Sequence, residues 1–299
     1  MPKSRIGEYL RARRALVQPE DVAIEREPGR RVQGLRREEL AKLAGISVDY
    51  YLRLERGRDV QPSEQVIRSL ARALQLDDEA TGHLRRLARS DSIESEVHTS
   101  RELDPSVRGL LKQWSHTPAF VIDRNQTILE SNDLARALGP GYMEPGVNLV
   151  YSIFSQASRD YAADWETTAR RVVAALRLHS DPNDPQLQAL IGGLSVRDPD
   201  FPRLWARHDA ASTTSGRSRH FIDPIGWVEL PYQNLHIPGS TQILVTFWAE
   251  PGTPGTAALA YLATRVQHDG PGANNGHRPS QVELLREGVS LPNPDAVEG

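Results

Sequence analysis

The sequence predicts two domains: an all-α head over residues 1–90 and an α+β body over 105–268 built on one antiparallel sheet. Three observations lead there. Apolar residues recur at helical spacing from Ile6 to Leu87. Beyond Thr117, short β-branched and aromatic runs bounded by turn residues begin, which is the pattern of strands. Between them, the run SDSIESEVHTS from Ser90 has few large apolar groups and reads as a linker, placed at 91–104. After these come a Gly- and Pro-rich tail, 269–299, expected to be largely disordered.

The bulk numbers agree. A chain of 299 residues is long enough for two domains. It has no cysteine, which excludes disulfides and thiolate metal sites. No apolar run is long enough to span a bilayer, so no membrane role and a cytoplasmic location are expected. The net charge of -3 is unevenly spread: residues 1–90 hold 19 Lys and Arg against 14 Asp and Glu, and the remainder 17 against 25. A basic front on an acidic back suits a nucleic-acid-reading head on a separate body.

Taken in order, the first helix covers 5–16, with Ile6, Leu10 and Leu16 inward and Arg11, Arg13 and Arg14 on other faces. The loop 17–35 contains Pro19, Pro28, Gly29 and Gly34 and so is read as non-helical. Its Arg30 and Arg31 are placed to follow a DNA backbone or enter a minor groove. A helix over 37–44 buries Leu40, Leu43 and Ala44 and stops at Gly45. Ile46 plugs the turn, and Ser47 caps the next helix, 48–56, through its hydroxyl. Tyr51, Leu54 and part of Tyr50 face inward, and Gly57 ends the helix. That leaves Val48, Asp49, Leu52 and Arg53 outward, with Ser47 and Tyr50 beside them, as the surface for a major groove. Arg37 approaches the phosphates. Two more helices follow, one capped by Ser63 and one by Asp77.

The runs L-R-R-E-E-L-A from Leu35, A-G-I-S from Ala44 and D-Y-Y-L-R-L-E-R-G from Asp49 occur together at fixed spacing. In them the head resembles the lambda-repressor-like (XRE) helix-turn-helix family. The resemblance implies double-stranded DNA as partner. Helix-turn-helix proteins commonly read two half-sites as homodimers, so a homodimer is expected. Arg36 stands where that family usually has a Ser or Thr cap, while Glu39 keeps the other half of the capping box.

In the body, a helix near 106–114 precedes strands at 119–122 and 127–131, joined by Asp123-Arg124-Asn125-Gln126. A helical section follows. Its clearest member, 161–179, stacks Trp165, Ala169, Val172, Val173 and Leu176 on one face; shorter helices are read at 187–194 and 201–208. Strands return at 218–222, 227–235 and 242–248, and a closing helix at 253–266. Two strands, helices, then three strands is the order of a PAS-like antiparallel sheet with its helices gathered on one face. The 161–179 helix is expected to help cover that face. Phe120, Ile122, Val172, Leu176, Leu244 and Phe247 are then the apolar side chains from which a cavity could be walled.

Enzyme signatures are missing. There is no G-x-x-x-x-G-K-[ST], H-E-x-x-H or G-x-S-x-G run, and the nine histidines are scattered. Neither catalysis nor a metal is expected. Three further runs stand out: T-P-A-F-V-I-D from Thr117, W-A-R-H-D from Trp205 and A-E-P-G-T-P from Ala249. With the head motifs they make the chain, over about 6–262, similar to the MmyB-like regulators. That resemblance implies a transcription regulator whose PAS-like domain carries a fatty-acyl chain. No cofactor is expected; a long-chain fatty acid is the implied ligand. The residues assigned to it are Asn132, Leu176, Trp205, Arg207 and His208, the last three as donors for a carboxylate head. Ser131-Asn132 departs from the family's Trp-Asn. The alternative reading is a DNA-binding protein whose second domain binds another protein and no ligand.

Overall fold

The computed structural model describes residues 5–26, 29–30, 32–58, 61–88, 103–161 and 164–269. Arg31, most of the expected linker and nearly all of the expected tail lie outside the described residues.

Five α-helices form the head: α1 (Arg5–Leu16), α2 (Arg37–Ala44), α3 (Val48–Arg56), α4 (Glu64–Ala73) and α5 (Asp78–Ala88). Gly45 and Gly57 adopt φ of 66° and 62° as they end α2 and α3, a conformation that costs glycine little. The Ser47 hydroxyl accepts the Tyr50 N–H at 3.1 Å. At the start of α2 only half a capping box exists. The Glu39 carboxylate accepts the Arg36 N–H at 2.6 Å, but a guanidinium has no acceptor to return to the helix. Tyr9, Leu10, Leu35, Leu40, Tyr51, Leu54, Ile67, Leu70 and Leu84 make the core. A Cβ on Gly7 would lie 2.2 Å from the Glu55 carbonyl oxygen, so glycine is what lets α1 meet α3 this closely.

Three expectations for the head are corrected. Leu43 is exposed, and Ala41 takes the inward position beside Leu40 and Ala44. Arg14 is buried rather than on an outer face of α1. The loop 17–35 contains one short 3-10 turn, Pro19–Val22, nucleated by its proline.

The body holds α6 (Pro105–Gln113), β1 (Ala119–Ile122), β2 (Ile128–Ser131), α7 (Asp133–Leu138), α8 (Leu149–Ile153), α9 (Gln156–Tyr161), α10 (Trp165–His179), α11 (Pro185–Arg197), α12 (Asp200–Trp205), β3 (Ser215–Ile222), β4 (Gly226–His236), β5 (Ile243–Phe247) and α13 (Pro254–Asp269). The five strands form one antiparallel sheet in the order β2-β1-β5-β4-β3. Strand alternation sorts its faces. Phe120, Ile122, Val228, Leu230, Ile243, Val245 and Phe247 pack on one, against Leu134 and Leu138 of α7 and Ala258, Leu259 and Leu262 of α13. Ala119, Val121 and Leu244 pack on the other, against Leu103, Leu111 of α6 and Trp114. The sheet therefore has helices on both faces, not one. Leu244 points away from the face that carries Phe120 and Phe247.

The chain forms two compact units, and they do not follow the domain order of the sequence. One unit gathers the head with Arg170–Leu178 and Gln188–Ser212; the other is the rest. Most of α10 thus belongs to the head's unit, with Val173 and Leu176 buried there. The expected role of α10 as a cover for the sheet falls to α7 and α13.

Candidate functional site

Helix α3 presents Ser47, Val48, Asp49 and Arg53 as exposed side chains, with Tyr50 and Leu52 half-buried beside them. The Arg53 guanidinium lies 5.6 Å from the centroid of the Tyr50 ring, which steadies it on the outer face. Arg37 is half exposed at the start of α2, and its Nε donates to Glu55 at 2.8 Å. Ser47, Val48, Asp49 and Tyr50 lie at the N-terminal half of α3, the part of a recognition helix that meets base edges. Arg30 does not fit the part expected of it. Its side chain is 2% exposed, its guanidinium makes a bidentate pair with Glu39 at 2.6 Å, and it also donates to the Gly34 carbonyl. It clamps the loop onto α2. That pairing holds the Glu39 carboxyl below its usual range, where hydrogen bonding from Arg30 outweighs burial.

Beneath this surface lies a buried charge cluster that reading the sequence missed. The Glu55 carboxylate is fully buried and accepts from Arg14 Nε, Arg37 Nε and the Tyr51 hydroxyl, each at 2.8 Å. One carboxylate thus ties α1, α2 and α3 together. Burial alone would raise its pKa; the bonds from Arg37, Arg14 and Tyr51 outweigh this, and the net shift is downward. Burial and the facing Glu55 push the Tyr51 phenol up, so it stays protonated as a donor. The signal was in the spacing: Arg14 follows Leu10 by four residues, and Glu55 follows Tyr51 by four, each on the inward stripe of its helix.

Most of the residues assigned to a ligand lie in the same unit as the head. Trp205 stacks on Phe201 and lies under the Arg177 guanidinium, 3.8 Å from its ring centroid. Arg177 also donates to the Trp205 carbonyl at 2.5 Å and faces His208 Nδ1 at 3.3 Å. Burial lowers the Arg177 pKa to about 10 and that of His208 to about 4, so His208 is neutral and accepts. Arg207 Nε reaches Asp209 at 2.8 Å, and the same carboxylate takes Arg13 of α1 at 2.5 Å. Further along, the Ser212 N–H donates to Glu79 of α5, and Arg86 of α5 reaches the Leu178 carbonyl at 3.4 Å. Asp209 was read as part of W-A-R-H-D, but its pairing with Arg13 and the contacts of Arg177 were not foreseen, since those partners lie on other elements and no local pattern reports them.

Asn132 lies in the other unit and is not brought together with these groups. Its Oδ1 accepts from Ala119 and Ala135 N–H at 3.1 and 2.9 Å; its Nδ2 donates to the Trp114 and Thr117 carbonyls at 3.0 and 2.8 Å. All its hydrogen-bonding capacity serves the backbone at the start of β1 and α7, which leaves none for a ligand. Among the described residues no group of three or more His, Asp or Glu is placed to hold a metal, and no helix is long and apolar enough to cross a membrane.

Comparison with known families divides the chain along the sequence instead. Residues 5–84 match a helix-turn-helix domain model. Residues 103–262 match the model of the MmyB-like transcription regulator ligand binding domain. No curated protein matches the chain at a significant level. The second match covers more than half of the chain, and with the reading helix beside it the protein belongs to the MmyB-like transcription regulators, DNA-binding proteins with a ligand-binding domain.

Proposed function

We propose that this protein is a sequence-specific regulator whose grip on DNA is set by a lipophilic small molecule, a long-chain fatty acid or close analogue, in its second domain. Val48, Asp49, Leu52 and Arg53 read base edges, with Ser47 and Tyr50 at the groove wall and Arg37 on a phosphate. The protein acts in the cytoplasm, as a homodimer on two half-sites.

One observation carries the idea of control. Arg170–Leu178 and Gln188–Ser212 lie inside the ligand-binding family match, yet pack in one unit with the helix-turn-helix. Asp209 receives Arg13 from α1, and Ser212 is held by Glu79 of α5. Within the ligand-binding match, the chain enters and leaves this unit through residues 169–170, 178–179, 187–188 and 212–213. A ligand that biases the sheet-bearing unit therefore acts on segments fastened to the head, which is the linkage a ligand-controlled repressor or activator needs.

The test is mass spectrometry of the purified protein, intact and after solvent extraction. A stoichiometric lipid in the extract supports the reading. Repeated preparations without lipid, and no thermal shift with added fatty acids, would favour a second domain that binds protein instead.

A further inference from the structure

The inner sheet face, on which α7 and α13 pack, is hydrocarbon apart from few positions, and one of them has an unanswered polar atom. His220 on β3 is 8% exposed and sits opposite Val228 of β4. Its ring meets that of Phe247 edge-on, with centroids 5.2 Å apart, and Phe247 in turn contacts Phe120 and Tyr232. His220 Nε2 is buried and has no hydrogen-bond partner among the described residues. Ile222, two residues on, shares its face, while Arg217 and Arg219 alternate to the exposed side. A buried polar atom left unpaired is costly, and native proteins answer such atoms with a water, an ion or a ligand. Here the atom lies in a domain whose family binds a ligand.

We propose that His220 Nε2 recognises the polar group of the bound molecule, and that this group is uncharged: a hydroxyl, amide, ester or protonated acid, not an ionised carboxylate. The proposal rests on the ligand reading above and narrows it. The buried neighbours of His220 on this face, Phe247, Ile222, Val228 and Leu230, are hydrocarbon and offer a carboxylate no balancing charge. Burial lowers the imidazole pKa to about 4, so the ring itself supplies no positive charge. An ionised head would bury an uncompensated charge, which costs far more than one hydrogen bond returns. A neutral head exchanges one hydrogen bond with Nε2 and satisfies both partners. Trp205, Arg207 and His208, expected at the head group, are instead engaged with Arg177 and Asp209.

The test uses lipid-stripped full-length protein and three probes of equal chain length: palmitic acid, hexadecan-1-ol and hexadecanamide. Affinity is measured by calorimetry at mildly alkaline pH for the wild type, His220→Leu and His220→Gln. The wild type is expected to bind the alcohol and the amide about tenfold tighter than palmitate, and His220→Leu to lose that advantage. His220→Gln, which restores a donor, should recover most of it. Unliganded His220→Leu should melt no lower than wild type, since it removes an unsatisfied group without leaving a large void. Alcohol and amide binding unchanged in His220→Leu, or tighter binding of palmitate, overturns the proposal while leaving a lipid-binding domain in place. Failure of all three probes to bind wild type removes the ligand reading itself, and the proposal with it.

Discussion

Replacing Glu55 by alanine should cost the head more than any other single change near the reading surface. The carboxylate is fully buried and takes three donors, but the three are not equal. Arg37 is 47% exposed and can turn to water, so its share is close to that of a surface pair, under about 1 kcal/mol. Tyr51 loses one hydrogen bond and leaves a buried hydroxyl unsatisfied, about 1–3 kcal/mol. Arg14 is the large one. With a side chain only 10% exposed, it is left as a buried cation whose second contact, to the Leu35 carbonyl at 2.7 Å, cannot neutralise it. Removing one partner of such a pair typically costs about 3–5 kcal/mol, and because the contributions overlap, that range also serves for the whole change. Urea unfolding followed by circular dichroism would measure it, with Arg14→Met and Glu55→Ala/Arg14→Met completing a double-mutant cycle. The double variant should be much less destabilised than the two single losses added together. A loss below about 1 kcal/mol for Glu55→Ala, or strict additivity in the cycle, would refute the idea that this carboxylate holds α1, α2 and α3 together.

Three further outcomes follow from the same geometry. Arg53→Ala should weaken operator binding by about 1–3 kcal/mol and relax sequence preference, whereas Arg37→Ala should weaken all DNA alike and shallow the salt slope by about one unit; anisotropy titrations across salt concentrations separate them. Stability should fall as pH drops below 6.5, the ordinary histidine value, because burial depresses His83 to about 3 and His208 and His220 to about 4. In that window the unfolded chain takes up the protons first, so acid favours unfolding; Glu55, also depressed, adds its own loss only below 4.5, and denaturant midpoints measured stepwise in pH would expose a flat profile if the histidines were not buried and neutral. Asn132→Ala should lower stability by at least about 2 kcal/mol, since it orphans two N–H groups and two carbonyls, and a neutral substitution there would show the amide to be dispensable.

Much of the head was legible because its signals are local. Gly45, Ser47 and Gly57 fix the ends of α2 and α3 through backbone conformation and one hydroxyl, and these act within four residues of themselves. The strands were legible for the same reason, but their order in the sheet was not read from the sequence. What failed was long-range. Periodicity placed Leu43 on the inward stripe, but which of Leu43 and Ala41 is covered depends on how α4 lies against α2. Arg14 was placed on another face of α1 because its partner is forty-one residues away on α3. Alternation alone shows that Leu244 opposes Phe247 across the sheet, but not which face meets α6. Above all, the apolar stripe of α10 is real, yet nothing in it says whether the helix covers a sheet or joins the head. For the ligand site, W-A-R-H-D stood out through the resemblance to the MmyB-like regulators. Its contacts with Arg13 and Arg177 place it in one unit with the head.

Under the proposed function, a ligand in the second domain alters DNA binding through the segment held by Asp209. The most direct measurement compares operator affinity of lipid-stripped protein with that of protein reloaded with its own extracted lipid, for wild type and Asp209→Asn, on an operator selected from random DNA. The wild-type affinities should differ by about fivefold or more, the lower end of ordinary allosteric coupling. Asp209→Asn, which loosens Arg13 without touching α3, should bind DNA as stripped wild type does and lose the difference. Equal affinities for stripped and reloaded wild type, or a difference that survives in Asp209→Asn, would contradict the account.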